Sequence, residues 1–346
     1  MSSQHPPSIA TASSEMHTVV KTPNVVVRFW SSLSKRLGFR RPLSFFFFFV
    51  FGGALAGFSL ASFRLLDPTH YYTASFAPGE VYWVREGIRK AGMILHLAAI
   101  LPCGILSILQ FIPKIRKQYI LLHRINGYLV LILLVLGITG GFIMARHTFG
   151  GGVSASGATY AVGAVTLISA LMGYYNIKQI QLEQHRKWML RMVIYMSSII
   201  TARVAMMITA AVVTTMGGFA APWSCAELLY TLDSNTTKVI NAGYPQCTDP
   251  NSGDQLVLVP ATFEVSPQGV GSALRVAFGN SMWTSLLIHV VLAEIYLKLT
   301  PSETDRLRAI SYQRQLEAGV KHPGSAGTTS DRWGDAKYYH ASQLKP

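Results

Sequence analysis

The chain has 346 residues, half of them hydrophobic and only 13% charged. Soluble domains run nearer one-quarter charged, so the composition points to a membrane protein. The formal net charge of +14 would suit nucleic acid on a folded soluble face, but Lys and Arg cluster between long apolar runs, where they set topology, and no nucleic-acid partner is expected.

Met1 to Lys21 is rich in Ser, Thr and Pro and reads as disordered. The first forty residues lack the apolar core and small-residue cleavage site of a signal peptide. Val25 to Arg41 reads as a solvated basic flank, with a basic interfacial helix as the alternative. Residues 1–42 thus form a basic cytoplasmic tail.

Six segments then have the apolarity and the length, about 20 residues each, to cross hydrocarbon. They run approximately Leu43–Phe63, Ala91–Ile112, Ile125–Ala145, Ala158–Ile177, Trp188–Val213 and Val276–Leu297. Gly127, Gly137, Gly140, Gly141, Gly163 and Gly173 in the third and fourth let helix backbones approach closely. The fold class is an all-α polytopic bundle occupying residues 43–300, with the bilayer as its first partner.

Loop charge orients it. Lys35, Arg36, Arg40 and Arg41 precede the first span, Lys114, Arg116, Lys117 and Arg124 join the second to the third, and Lys178, Arg186, Lys187 and Arg191 surround the fourth-to-fifth connection. If each span crosses once, these clusters share a side, which places both termini and the 301–346 tail in the cytoplasm. The long loop 216–274 falls on the opposite side and holds Glu227, Asp233, Asp249, Asp254 and Glu264 against Lys238. Cys225 and Cys247 in that loop suit a disulfide in an oxidising compartment, and Asn235-Thr236-Thr237 is a glycosylation sequon. These features make the endoplasmic reticulum, or another endomembrane, the expected location. Cys103 lies within a span and reads as a packing residue.

The connections after the second and fourth spans look alike. Lys117-Gln118-Tyr119-Ile120-Leu121-Leu122-His123-Arg124 parallels Lys178-Gln179-Ile180-Gln181-Leu182-Glu183-Gln184-His185-Arg186, which is one residue longer. Two related hairpins would put His123 and His185 at equivalent depth; chance similarity is the other reading. The Phe111-Ile112-Pro113-Lys114 turn, His123-Arg124-Ile125-Asn126-Gly127-Tyr128 and His185-Arg186-Lys187-Trp188-Met189-Leu190-Arg191 resemble an uncharacterised family of multi-pass membrane proteins from bacteria and fungi. That resemblance spans roughly Arg89 to Thr300 and implies architecture more than chemistry. In size, span number and style the chain is also similar to fungal membrane-bound terpene cyclases of meroterpenoid pathways, of the ascofuranone type, though without a shared diagnostic motif.

Ionisable groups inside a bilayer are costly and usually face a cavity or a partner. His96 in the second span, Arg203 in the fifth, and His289 and Glu294 in the sixth are therefore the candidate catalytic residues. Arg203 lies roughly 22 Å along its helix from Trp188, in the outer half and at a depth comparable to His96. The bland reading has it capping carbonyls of a neighbouring helix or reaching the outer surface. His289 and Glu294 are separated by roughly 140° around the helix, so they cannot present to one atom. The plain alternatives are an ion pair of Glu294 with Lys298 and a helix-packing hydrogen bond for His289. Trp283, Tyr195, Tyr174 and Tyr175 are candidate pocket-lining rings or interfacial belts. His123 and His185, with Arg124 and Arg186, suit axial ligation of a b-type haem and its propionates. Alternatively they form a cytoplasmic site in which Arg124, Arg186 and Arg191 hold a phosphate or carboxylate, or they simply anchor the interface.

No phosphate-cradling Gly loop, paired CxxC, HExxH or Gly-x-Ser-x-Gly elbow is present, and no metal site is expected. The leading expectation is an enzyme embedded in the membrane that acts on a lipophilic small molecule, for example an acid-initiated terpene or meroterpenoid cyclase needing no cofactor. The alternatives are an electron carrier with b-type haem in the style of cytochrome b561, and a non-catalytic channel, transporter or scaffold.

Overall fold

The computed structural model describes residues 24–39, 41–67, 77–263 and 266–340. The segment expected to be disordered, Met1 to Lys21, lies outside these. Six helices among the described residues are long and apolar enough to cross a membrane: Pro42–Leu66, Gly87–Leu109, Ile120–Ala145, Val153–Lys178, Leu182–Met216 and Pro267–Lys298. An even number of crossings puts the start of the first span and the end of the sixth at one end of the bundle, here the tail end; the opposite end is the loop end.

Ahead of the bundle, α1 (Val25–Leu37) is a helix and not the plain flank expected, ended by Gly38 at φ 86°. Its Trp30 ring lies 4.6 Å from Phe45 and 5.0 Å from Phe49 of α2 (Pro42–Ser62), so an aromatic face that water would penalise is covered. After α2 come the short α3 (Glu80–Val84), α4 (Gly87–Leu109), the turn helix α5 (Pro113–Gln118) and α6 (Ile120–Ala145). α7 (Val153–Lys178) returns to the tail end.

The fifth span is two helices, α8 (Leu182–Met196) and α9 (Ser198–Met216), broken at Ser197. The sixth, α12 (Pro267–Lys298), begins nine residues earlier than the sequence reading. Ser266 accepts from the Gly269 amide at 3.2 Å and Pro267 takes the first turn, two start signals masked in sequence by the polar residues that follow.

α4 and α6 pack through small residues. A Cβ on Gly140 would meet the Gly92 carbonyl oxygen at 2.5 Å and the His96 amide nitrogen at 2.6 Å, so only glycine allows this approach. Around the crossing, Leu55, Cys103, Val130, Leu134, Ile138, Ala170, Met192 and Met196 form a buried cluster drawn from α2, α4, α6, α7 and α8. Cys103 is part of it, as its packing role requires.

The long loop is folded. β1 (Ala220–Ser224) pairs antiparallel with β2 (Leu256–Pro260), Pro222 opposite Leu258. Between them lie α10 (Cys225–Thr231) and α11 (Thr236–Asn241), and Cys225 is bridged to Cys247. Trp223, Leu228, Val239 and Val259 fill a separate small core over the loop end. Asn235 is exposed and caps α11 through the Lys238 amide at 3.0 Å.

The C-terminal segment is likewise structured where the sequence suggested only a tail. α13 (Pro301–Glu317) runs under the tail end and precedes α14 (Ser330–Trp333). The fully buried Gln315 donates to the carbonyls of Gln179 and Ile180 and to the Gln181 side chain, and accepts from the Gly324 amide. Asn176 of α7 accepts the Thr328 amide at 2.9 Å. Gln315 thus satisfies carbonyls at the α7–α8 turn, and Asn176 ties the segment around Thr328 to α7.

Gly140→Leu is expected to abolish or strongly destabilise the folded protein, whereas Gly53→Leu, whose added side chain meets nothing within 4 Å, is tolerated. Monodispersity and thermal midpoint of the two variants in detergent check this; equal behaviour would refute the glycine-mediated crossing.

Candidate functional site

The loop end carries a buried charge cluster built on Arg275. This residue projects from α12 where Gly271 lets Trp223 approach: a Cβ on Gly271 would sit 2.7 Å from the indole. The guanidinium lies 3.8 Å over the Trp223 ring, and that indole donates to Ser272 Oγ at 2.8 Å. Glu227 lies in the first turn of α10, where the hydroxyl of Ser224 caps its amide. Its carboxylate takes both terminal nitrogens of Arg275 and accepts from Trp83 Nε1 at 2.7 Å.

A second carboxyl enters from α3. Gly79, at φ 87°, turns the chain so tightly that a Cβ there would lie 2.6 Å from Arg275 Nη2 and 2.7 Å from Trp223. The next residue, Glu80, is 9% exposed. Its Oε2 accepts from the Phe149 amide at 2.7 Å, while Oε1 is 3.7 Å from Arg275 Nη2, buried and without a hydrogen bond. Two carboxyls therefore compete for one guanidinium, and Glu227 holds it. Burial, incompletely offset by Arg275 and the Phe149 amide, pushes the Glu80 carboxyl up to about 7.

Arg203 stands beside this pair. Its guanidinium lies 5.0 Å over Phe149 and 5.8 Å over Phe278, two rings stacked with centroids 4.2 Å apart. It is within electrostatic reach of Glu80 and His96, and it makes no hydrogen bond to a described residue. His96 Nδ1 is 2.7 Å from the Gly137 carbonyl, leaving Nε2 for another partner. On the far side, the His147 imidazole stacks on Trp83 at 4.5 Å, near Arg89 at 3.5 Å. Polar groups within electrostatic reach of one another thus run from His96 through Arg203 and Glu80 to Arg275 and Glu227.

The other two candidates from the sixth span lie elsewhere. Glu294 is clamped by Arg191, whose Nε and Nη2 donate at 2.6 and 3.0 Å. Lys298 is not its hydrogen-bonding partner, and Arg191 is unavailable to the anion site assumed for it. A carboxylate held in this bidentate way is an acceptor, poorly suited to giving up a proton. His289 is also committed: Nδ1 meets the Ile194 carbonyl at 2.7 Å and Nε2 the Thr201 hydroxyl at 2.9 Å. It spans the break at Ser197, in the packing role that was its bland alternative. Trp283 and Tyr174 are exposed on the bundle surface, while Tyr195 is buried.

At the tail end His123 and His185 come together. Each is the fourth residue of its helix, α6 or α8, and each amide bonds the residue four before it at 3.0 Å. His185 Nδ1 is 2.9 Å from the Gly173 carbonyl. Arg116, Arg124 and His185 all lie within electrostatic reach of His123, and Arg186 donates to Thr300 at 3.0 Å. No group of three or more His, Cys, Asp or Glu able to hold a metal ion occurs among the described residues.

Sequence reasoning missed Glu80, which sits in a five-residue helix outside the spans, and it treated Glu227 only as loop charge. The paired signal was Trp83 and Glu80 just before one span and Arg275 just inside another, recognisable only once the loop folds back.

Residues 93–224 match a family described as "Predicted membrane protein (DUF2306)". That stretch takes in His96, His123, His185 and Arg203 and stops before Glu227 and Arg275. The chain is also similar to "Ava biosynthesis cluster protein G" of Aspergillus versicolor, 25% identical over 337 residues, covering 83% of this chain and 97% of that protein. No solved structure matches. The chain is therefore an integral multi-pass membrane protein related to a protein of a fungal biosynthesis cluster.

The raised Glu80 carboxyl has a consequence for stability. The unfolded chain loses this proton near 4.5 and the folded chain only near 7, so the folded state is progressively penalised as pH rises between those values. The difference amounts to about 3 kcal/mol above the window. Thermal midpoints of wild type and Glu80→Gln at about pH 5 and about pH 8 check it: the variant gains relative to wild type at the higher pH. A gain that is equal at both values would refute the shift.

Proposed function

We propose that the protein is a membrane-embedded enzyme acting on a lipophilic small molecule at the loop end of the bundle, with Glu80 as the proton donor. The observation that carries this reading is the buried Glu80 Oε1, free of hydrogen bonds, on a carboxyl that keeps its proton to about neutral pH. A general acid works best when its pKa lies near the operating pH. Glu227 supports it by holding Arg275, which prevents that cation from ionising Glu80 fully.

Arg203 would anchor an oxygen of the substrate, since its donors are not taken by described residues. An acid-initiated cyclisation uses the array as follows. Glu80 gives its proton to an epoxide oxygen and the C–O bond breaks. A neighbouring alkene attacks the cationic carbon, forming a C–C bond. The last carbocation loses a proton to His96 Nε2, and solvent resets both groups. The product is an isomer of the substrate, and no redox cofactor enters. The relationship to a biosynthesis-cluster protein supports a small-molecule role, and the basic clusters at the tail end support a cytoplasmic placement of both termini. The exposed Asn235 and the Cys225–Cys247 bridge support a loop end facing the lumen of an endomembrane.

The test uses microsomes containing the wild-type chain, incubated with epoxidised polyprenyl-aromatic substrates and followed by chromatography with mass detection. A new peak of unchanged mass is expected. Glu80→Gln should lower its rate at least 100-fold, while Glu294→Gln should retain most of it. Full activity in Glu80→Gln would remove Glu80 from the chemistry.

A further inference from the structure

Beyond the loop-end reaction, we infer that the tail end holds a second site, specific for a phosphate group and built from Arg116, His123 and Arg186. Three nitrogens there are buried without a hydrogen-bond partner: Arg116 Nε, His123 Nδ1 and Arg186 Nη1. They come from α5, α6 and α8 and are drawn into one cluster, because Arg186 is in electrostatic reach of Arg116, and Arg116 of His123. A buried polar nitrogen left unpaired costs free energy, so three of them in one cluster, two on guanidinium groups, call for a partner.

The charge balance says which kind. Arg116, Arg124, Arg186 and Arg306 face a single carboxylate, Glu303. Glu303 is already spent on Arg306, which donates to it twice at 2.8 Å. The surplus is cationic, and every free group belongs to a residue able to donate, so the complement is an anion with several oxygens. The start of α6 adds to the attraction, since its first turn has no acidic residue and its N-terminus no side-chain cap.

His185 holds its orientation through the Gly173 carbonyl and closes the cluster beside His123. The Arg186 guanidinium is fixed by Thr300 at 3.0 Å and lies 6.0 Å from the Tyr296 ring, so the donors are preset. A phosphate fits this arrangement, whether carried by a lipid headgroup or by a soluble phosphate or diphosphate. Both place the same oxygens at the boundary where α6 and α8 begin.

The experiment uses the full chain in nanodiscs of phosphatidylcholine at fixed ionic strength. One arm adds inorganic phosphate or pyrophosphate, with chloride as the control, and the other includes phosphatidic acid in the disc. A rise in thermal midpoint of roughly 5 °C is expected in at least one arm, and the arm that responds identifies the source. Arg116→Gln with Arg186→Gln should abolish the rise. Because Arg186 also tethers Thr300, His123→Gln serves as the variant least able to disturb the fold, and it should reduce the rise by at least half. A midpoint insensitive to both phosphates and phosphatidic acid overturns the proposal, as does a rise undiminished in His123→Gln. A Soret band in the purified protein overturns it too, by assigning the histidine pair to haem.

Discussion

Arg275 must be paired, because it sits 8% exposed near the start of a helix that enters the bilayer. An isolated cation there would be prohibitively costly, and truncating one partner of such a pair typically costs about 3–5 kcal/mol. Glu227 supplies the pairing only when the loop between α9 and α12 folds over the bundle. The Trp223 ring, the Cys225–Cys247 bridge and the β1–β2 ladder all serve to bring that carboxylate back to α12. The small extramembrane core and the helix bundle are thus tied through one guanidinium.

The same constraint shapes the candidate chemistry. A second carboxyl lies near Arg275, but one cation cannot satisfy two acids equally in a dry site. Glu227 has the shorter contacts and the Trp83 indole; Glu80 has the longer contact and a single amide. Burial raises both carboxyls, and Glu80, with the weaker hold on the cation, is pushed up to about 7. Arg203 extends the array toward His96 across the stacked Phe149 and Phe278. The close approach of Gly79 and Gly271 to Trp223 holds these parts at short range without side chains of their own.

The tail end follows a different logic. The fifth span breaks at Ser197, and His289 bridges the break to α12 while Arg191 and Glu294 tie α8 and α12 lower down. α13 and the residues after it then close the α7–α8 turn through Gln315 and Asn176. Glu294 and His289, two of the four candidate groups read from the sequence, are consumed by these links. Arg116, His123 and Arg186 keep unpaired donors instead.

The amino-acid sequence by itself determined the number of spans and their approximate limits, because a run of about 20 apolar residues is a local property. It also singled out Arg203 and His96, since an ionisable residue in an apolar run stands out without any knowledge of its neighbours. The helices starting at Val153 and Pro267 begin ahead of their hydropathy limits, because their first turns carry small and polar residues that hydropathy discounts. Which charges were partners only the tertiary structure decided. Arg275 and Glu227 are 48 positions apart, and Arg191 and Glu294 are separated by 103. No local pattern ranks such pairs, and the place of Glu80 beside a cation already held by Glu227 is visible only in the folded chain.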